Sequence, residues 1–245
     1  MKKVLFIFGM LFVSNILLAT SSLFRDANEL YDHQKYKDAI ILYDSIQQEG
    51  LESSELFYNM ANAYYKLKKW PQSILYYERT LKNNPNYEDA IHNLSLAQLK
   101  IIDKIEPIPQ LFYQKWWKNI YTLTSVDIWA LLCIIFLWLG LILFIITKLT
   151  KPFLNKNYFL IFVLCSIFSF SLSHSEHQQN VNTKHAIIYS ASVVIKSAPS
   201  YTSTDIFTLH AGSKVQITDQ IGNWIHIQLA NGNKGWMIKE NCQEI

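Results

Sequence analysis

The sequence predicts a multidomain membrane protein built from an all-α solenoid, a two-helix transmembrane hairpin and a small all-β barrel. Three observations predict this fold class. Residues that pack helices recur at a 34-residue offset within residues 20–103. Two long apolar segments follow, at 126–147 and 158–173. From residue 186 to residue 245, short β-branched and aromatic runs alternate with turn residues.

The repeat consists of small, aromatic and polar residues at matching positions of successive helical hairpins. The aligned pairs are Ala27 and Ala61, Tyr31 and Tyr65, Tyr36 and Trp70, Tyr43 and Tyr77, and Asn59 and Asn93. The pattern resembles the tetratricopeptide repeat (TPR), in which small residues let two helices approach closely. We expect two TPR hairpins and a capping helix over 20–103. Because two repeats are fewer than a free-standing array needs, another segment or a partner must cover the exposed edge.

A TPR solenoid holds its ligand on a concave face formed by the first helix of each pair. The predicted partner-binding residues on this face are Asn28, Tyr31, Tyr58, Asn59, Asn62, Tyr65, Lys66, His92 and Asn93. Asparagine can hydrogen-bond to the backbone of an extended peptide, and tyrosine adds contact area with little loss of entropy. The alternative is that these residues only pack the repeat.

TPR proteins that hold a C-terminal carboxylate use two asparagines and three cations. The resemblance places the two asparagines on Asn28 and Asn59. The three cation positions fall on Phe24, Asp89 and Asn93, so all three cations are missing. We therefore expect the groove to bind an internal or folded partner segment and not a free C-terminus.

The N-terminus resembles a secretory signal peptide over residues 1–19. Lys2 and Lys3 precede an apolar stretch, and small residues follow it. An uncleaved anchor is the alternative, because Leu17 is large for its position before the expected cleavage site. Either reading predicts export of the TPR segment.

The two apolar segments predict a hairpin in the bilayer. At about 1.5 Å per residue, 126–147 is long enough to cross the hydrocarbon, whereas 158–173 is short and partial insertion is its alternative. Three lysines lie in the loop 148–157 and three lie in the linker 104–125, so charge does not decide the orientation. The signal peptide places the loop in the cytoplasm and both soluble domains outside. If 158–173 does not cross, the barrel is cytoplasmic.

Composition excludes several classes of function. The formal net charge is +3 and no basic stripe is present, so we expect no nucleic-acid partner. Of the three cysteines, Cys133 and Cys165 lie within the spans, which leaves Cys242 without an intrachain disulfide partner in the exported domains. We expect no metal site and no cofactor, because the histidines near the linker 174–185 lack a fixed scaffold.

The order of elements in 186–245 resembles the bacterial SH3 (SH3b) domain. Its marks here are the Ser-Ala-Pro-Ser turn at 197–200 and the Asn-Gly-Asn-Lys-Gly-Trp segment at 231–236. Such domains bind peptides or cell-wall material, which implies a candidate ligand surface at Tyr201, Trp224 and Trp236. The alternative is that the tryptophans belong to the barrel core.

SH3b domains often accompany cell-wall peptidases with a Cys/His pair, but we expect no enzyme here. Cys242 is the one thiol outside the spans, and no nucleophile elbow, zinc-helix motif or phosphate loop is present.

The whole domain order resembles the BatE-type proteins of the Bat aerotolerance operons of Bacteroidetes. That resemblance implies that the partners are von Willebrand factor A-type membrane proteins. Together with the signal peptide and the two spans, it predicts a bacterial inner-membrane protein with both soluble domains in the periplasm. It also implies a link to oxidative or envelope stress. Two functions follow as hypotheses: a scaffold for an envelope complex, or an anchor or sensor that binds peptidoglycan through the SH3b domain.

Overall fold

The protein divides into two compact units. The computed structural model describes residues 22–109, 111–149, 158–182 and 184–245. One unit combines the residues up to 106 with 185–245, and the other holds 107–184. The predicted signal peptide 1–19 and residues 150–157 of the predicted loop 148–157 lie outside the described residues.

Five helices form the repeat region. They are α1 (described over residues 22–32), α2 (Tyr36–Gln48), α3 (Ser54–Lys66), α4 (Trp70–Asn83) and α5 (Glu88–Gln98). The Ser53 hydroxyl oxygen caps α3 by accepting a hydrogen bond of 3.0 Å from the Leu56 N–H. Ala61 and Ser73 are fully buried between α3 and α4, where the Ser73 hydroxyl donates to the Ala61 carbonyl at 3.0 Å. Small residues therefore set the close approach of the two helices.

Three further helices form the second unit: α6 (Phe112–Tyr121), α7 (Val126–Leu149) and α8 (Tyr158–Asn182). Helices α7 and α8 pack on each other, and a Cβ added at Gly140 would lie 3.3 Å from the Cβ of Phe162. The Ser166 hydroxyl also donates to the Cys133 carbonyl across this contact, at 2.9 Å. Both helices are long and apolar enough to span a bilayer, with mean hydropathies of 3.0 and 1.5 in their most apolar windows.

Two predicted linkers differ from the structure. The segment 104–125 contains helix α6, and the segment 174–185 continues α8 as far as Asn182. No glycine or proline interrupts residues 158–182, so the backbone hydrogen bonds of α8 continue where its side chains become polar.

The C-terminal region is an antiparallel sheet that curls around its own core. Its strands are β1 (Lys184–Ile188), β2 (Ser192–Lys196), β3 (Asp205–His210), β4 (Lys214–Ile221), β5 (Trp224–Gln228), β6 (Lys234–Ile238) and β7 (Cys242–Glu244). Their order in the sheet is β3-β2-β6-β5-β4-β1-β7. Ile195, Ile225, Ile227 and Met237 are fully buried in the core. The helical repeats, the two apolar helices and the all-β C-terminus that the sequence predicts are confirmed.

The barrel is docked on the repeat helices, which sequence reasoning did not foresee. Ile187 of β1 is fully buried and belongs to the same apolar cluster as Leu75 and Tyr76 of α4, and Tyr189 and Ile245 are packed against that cluster. Strand β7, which the sequence analysis missed, pairs with β1 at this side of the sheet. The sheet therefore covers part of the repeat surface, for which the sequence analysis required another segment or a partner.

Candidate partner-binding surfaces

A ladder of hydrogen bonds between asparagines and tyrosines crosses the repeat helices. The Tyr43 hydroxyl donates to Asn28 Oδ1 at 2.6 Å, and Asn59 Nδ2 donates to the same oxygen at 2.9 Å. The arrangement recurs 34 residues later. There, the Tyr77 hydroxyl and Asn93 Nδ2 both donate to Asn62 Oδ1, at 2.5 Å and 3.2 Å.

The second copy of the ladder forms the wall of a cavity of about 280 Å³. Its lining residues come from α1, α3, α4 and α5: Tyr31, Tyr58, Asn62, Tyr65, Lys66, Tyr77, Asn93 and Leu96. Tyr58 is held in place by stacking on Tyr87, with ring centroids 4.9 Å apart, and its hydroxyl accepts a hydrogen bond from Asn93 Nδ2 at 3.1 Å. A polar cavity walled by fixed aromatic rings is suited to an extended polypeptide.

The hydrogen bonds of the ladder make Asn62 a donor toward a ligand. Its carboxamide oxygen already accepts two hydrogen bonds, from Tyr77 and Asn93. Its carboxamide nitrogen remains to donate to a ligand, and peptide carbonyl groups are suitable acceptors. Among the described lining residues, Lys66 carries the formal charge. The cavity therefore favours carbonyl and carboxamide acceptors and one acidic group.

Burial raises the pKa of two of the tyrosines that line the cavity. Desolvation raises the pKa of Tyr77, with a further contribution from Tyr58, and desolvation also raises the pKa of Tyr31. These hydroxyls remain hydrogen-bond donors at any physiological pH. The ladder is consequently insensitive to pH in that range.

The predicted groove residues divide into three sets. Tyr31, Tyr58, Asn62, Tyr65, Lys66 and Asn93 line the cavity. Asn28 and Asn59 form the first copy of the ladder and do not line it, and His92 is exposed on α5. Sequence reasoning missed Tyr77 and Leu96 as lining residues. Leu96 lies one helical turn after Asn93, and that spacing was the signal available for it.

The predicted barrel residues share the outer face of the sheet. Trp224 and His226 of β5 alternate with the buried Ile225 and Ile227, so their side chains point away from the core. Trp236 is paired with His226 across β5 and β6, and their rings are 5.0 Å apart. The two tryptophans are half-buried and lie outside the buried core cluster of the barrel, so the alternative that they are core residues is not what the structure shows. Their role as a ligand surface stays a prediction.

Tyr201 completes this aromatic strip. Its side chain is 74% exposed, and its ring makes an edge contact with Trp224 at 5.2 Å between centroids. Lys196, which pairs with Trp236 across β2 and β6, adds a cation that is bonded to Asp205 at 2.7 Å. Sequence reasoning missed His226 and Lys196, and the alternation of β5 was the signal for His226.

The Cys242 thiol is in an environment that suppresses its reactivity. Burial, reinforced by the nearby Glu244 carboxylate, raises the pKa of Cys242 to about 11. A nucleophilic cysteine needs a lowered pKa, so this site has the opposite electrostatics. Among the described residues, no group of three or more His, Cys, Asp or Glu side chains is arranged to hold a metal ion.

A half-buried carboxylate joins the repeat region to the barrel. Asp103 Oδ2 accepts hydrogen bonds from the His210 backbone N–H at 2.6 Å and from the Ser213 hydroxyl at 2.5 Å, and Asp103 Oδ1 is 2.9 Å from His210 Nδ1. Burial by itself would raise the pKa of Asp103. The hydrogen bonds from Ser213 and His210 outweigh it, so the pKa of Asp103 lies below its usual value.

Further polar contacts join α4 to the barrel. Lys214 Nζ lies 2.6 Å from the carboxylate of Glu78, whose side chain is 10% exposed. The Arg79 guanidinium donates to the Glu244 carbonyl at 2.9 Å, and Lys82 Nζ donates to the Ile245 carbonyl at 2.8 Å. The barrel is thus held by directional contacts as well as by apolar packing.

Comparison with known proteins identifies both soluble modules. Residues 54–92 match the tetratricopeptide repeat, and residues 191–241 match the bacterial SH3 domain. Both modules are present. These matches agree with the helices α3 to α5 and with the strands β2 to β6.

One curated relative matches part of the chain. It is YrvJ of Bacillus subtilis (strain 168), a protein named for N-acetylmuramoyl-L-alanine amidase activity, and it is 28% identical over 85 residues. The match covers 35% of this chain and 16% of the relative. A solved NlpC/P60 family protein from Bacillus cereus ATCC 10987 matches at 14% identity with a TM-score of 0.22, covering 26% of this chain and 21% of that one. The chain therefore spans a small fraction of either protein.

Proposed function

We propose that this protein is a non-enzymatic, membrane-anchored scaffold that binds protein partners through the TPR cavity and the outer face of the SH3b barrel. The observation that carries the proposal is that residues 22–106 and 185–245 fold together into one compact unit. These two segments flank both apolar helices in sequence, yet they share a buried cluster and the Asp103 contacts.

The packing of these two segments into one unit supports a hairpin topology for the apolar helices between them. Two segments that pack in one core must lie on the same side of a membrane. The apolar helices between them must then cross an even number of times, and α7 and α8 supply two crossings. An exported N-terminus would put both modules in the periplasm of a bacterial inner membrane, with the loop 148–157 in the cytoplasm.

A reporter experiment tests this topology. A reporter active only in the periplasm is fused after Ile245, and the same reporter is inserted in a second copy of the chain after residue 154. We expect activity from the first fusion and none from the second. Activity from neither fusion, or access of cytosolic protease to the TPR region, would refute the proposed orientation.

The chemistry of the cavity indicates the kind of partner segment. Carboxamide and hydroxyl donors with a single lysine suit an extended internal segment, whereas the three cations needed to hold a free C-terminal carboxylate are missing. The resemblance to BatE-type proteins suggests von Willebrand factor A-type membrane proteins of a Bat envelope or oxidative-stress complex as those partners.

Site-specific photocrosslinking in cells tests the groove. A photoreactive phenylalanine replaces Tyr65, which lines the cavity, or Ile41, which is 62% exposed on α2 and serves as the matched control. We expect Tyr65 to capture a membrane protein with a von Willebrand factor A-type domain, and Ile41 to capture none. Equal capture from both positions would contradict the assignment. Once the bound segment is known, peptides ending in an acid or an amide should bind within about threefold of each other.

Peptidoglycan binding by the barrel is the second candidate function, as an anchor or sensor. The aromatic strip of Tyr201, Trp224 and Trp236 offers ring faces of the kind that bind sugars, and YrvJ, which matches part of this chain, is named for a cell-wall amidase. Full-length protein in detergent is mixed with purified wall sacculi, with Tyr201→Ala as the comparison. Retention that depends on Tyr201 favours the anchor, and failure to sediment with sacculi favours the scaffold.

A further inference from the structure

Helix α6 presents an apolar face that no described residue covers. The exposed fractions are 84% for Phe112, 53% for Tyr113 and 62% for Trp116. At 100° per residue these three side chains fall within one arc of about 100° on the helix surface. An aromatic side chain buries about 150–250 Å² when covered, so leaving three in water is unfavourable.

The adjacent arc of α6 is fixed to the apolar hairpin. Trp117 Nε1 donates to the Ser175 hydroxyl at 3.3 Å, and the rings of Trp117 and Phe168 make an edge contact with their centroids 6.0 Å apart. At the end of α6, the Tyr121 carbonyl accepts a hydrogen bond of 3.0 Å from Trp129 Nε1 in α7. Helix α6 is thus held against the hairpin beside exposed apolar side chains of α8, since Phe168, which contacts Trp117, is itself 48% exposed.

The remaining arc is polar and positively charged. It carries Gln114, Lys115, Lys118 and Asn119, and the chain has no acidic residue between Glu106 and Asp127. A helix with an aromatic face beside a lysine-bearing face is the pattern of a helix that lies in the plane of a membrane surface. Lysines near an anionic surface add attraction that the apolar face does not supply.

We propose that α6 is a lipid-docking helix, with Phe112, Tyr113 and Trp116 inserted at the boundary between headgroups and acyl chains. Lys115 and Lys118 face the anionic headgroups. This inference rests on the proposed insertion of α7 and α8. Because α6 is held against that hairpin, insertion would bring its aromatic face to the bilayer, which favours lipid over a protein partner. It assigns the predicted linker 104–125 a lipid-binding role of its own.

Depth-dependent quenching in nanodiscs tests the inference on the full chain. The three native cysteines are replaced by serine, and a fluorescent NBD label is attached to a single new cysteine at residue 112, 116, 114 or 119. Nanodiscs contain phosphatidylcholine with or without phosphatidylglycerol, and lipids with a nitroxide near the headgroup act as the quencher. We expect at least threefold stronger quenching at 112 and 116 than at 114 and 119.

Two further measurements separate the possible failures. A label at Leu137, which is 55% exposed in the middle of α7, reports insertion of the hairpin through quenching by a nitroxide deep in the acyl chain. If Leu137 is quenched but 112 and 116 are not, the lipid-docking helix is wrong and the hairpin stands. If Leu137 is also unquenched, the membrane proposal itself fails.

Charge reversal and crosslinking complete the test. The double variant Lys115→Glu and Lys118→Glu should lose at least half of the quenching at residue 116 in anionic nanodiscs and keep it in neutral ones. Equal loss in both lipids would overturn the headgroup assignment. Disulfide dimers formed through Trp116→Cys, together with weak lipid quenching, would show that a second copy covers this face and would overturn the proposal.

Discussion

Removing the Asp103 carboxylate should destabilise the contact between the barrel and the repeat helices. Among single side-chain truncations at this junction, we expect it to lower the unfolding free energy most. Asp103→Ala deletes the acceptor of three contacts, which come from the His210 N–H, the His210 ring and the Ser213 hydroxyl. The side chain is only 15% exposed, so water does not readily replace the lost acceptor. The variant tests whether the junction is an integral part of the folded unit.

The expected magnitude follows from the geometry. A hydrogen bond to a charged group contributes about 1.5–3 kcal/mol, and a donor left buried and unpaired costs about 1–3 kcal/mol. Contacts that share one carboxylate are not additive, so we expect a total loss of about 3 kcal/mol. For a folded unit of this size that corresponds to a fall in Tm of about 6–12 °C.

The same carboxylate gives the junction a defined pH dependence. Because the pKa of Asp103 is lowered in the folded protein, its contribution is fully present above the unfolded value of about 3.9. The contribution is lost as the pH falls through the lower, folded value. The difference in Tm between wild type and Asp103→Ala should therefore be constant near neutral pH and shrink as the pH falls below about 4.

Thermal unfolding of the purified protein in nanodiscs, followed by intrinsic fluorescence, measures both effects. Asp26→Ala is the control, because that carboxylate is 51% exposed and pairs with Arg25 at the surface. The control should shift Tm by less than about 2 °C. If Asp103→Ala shifts Tm no more than the control does, the barrel is not held through this contact.

Three further predictions concern the junction, the ladder and the thiol. Gly212 has φ of +95° and its added Cβ would collide with the Ile101 side chain, so Gly212→Ala should lower the unfolding free energy by about 2–4 kcal/mol. In urea titrations, Gly222→Ala, at φ of +57° with open space around the new Cβ, should lose less. Tyr77→Phe should cost about 1 kcal/mol in the same titration through its hydrogen bond to Asn62, and no loss would contradict the ladder. The third prediction uses a variant with serine at the other two cysteines. At pH 8, its Cys242 should react with maleimide on the order of 100-fold more slowly in the folded protein than in urea. The reason is that the pKa of Cys242 is about 11 in the folded protein, whereas that of an unperturbed thiol is near 8.5.

Local pattern predicted the helices and strands, and it also selected residues that the fold brings to one cavity. Six predicted groove residues line one cavity because helical spacing brings them to one face. Tyr77 was missed as a lining residue because its helix, α4, is the second of its pair, and only the packed structure shows that its hydroxyl reaches Asn62. The sequence analysis places His92 on the concave face together with Asn93, but His92 is exposed on α5 and does not line the cavity.

The linkers show where local pattern misleads. The sequence analysis assigns 104–125 and 174–185 as linkers, yet both contain helix. Helix α6 is held by tertiary contacts, because Trp117 donates to Ser175 of α8 and the carbonyl of the buried Tyr121 accepts from Trp129 of α7. Helix α8 continues because no glycine or proline in its polar part stops it. Propensity alone is a weak guide when tertiary contacts are available.

By itself the sequence determined that this chain has repeat helices, two helices of bilayer length and a small barrel, because each element is specified by residues close together in the chain. Only the tertiary structure decided that the barrel docks on the repeats. Asp103 meets His210 across 107 residues and Arg79 meets Glu244 across 165. Contacts over such separations leave no periodic signal in one sequence, since they depend on which surfaces remain uncovered once the local elements have formed.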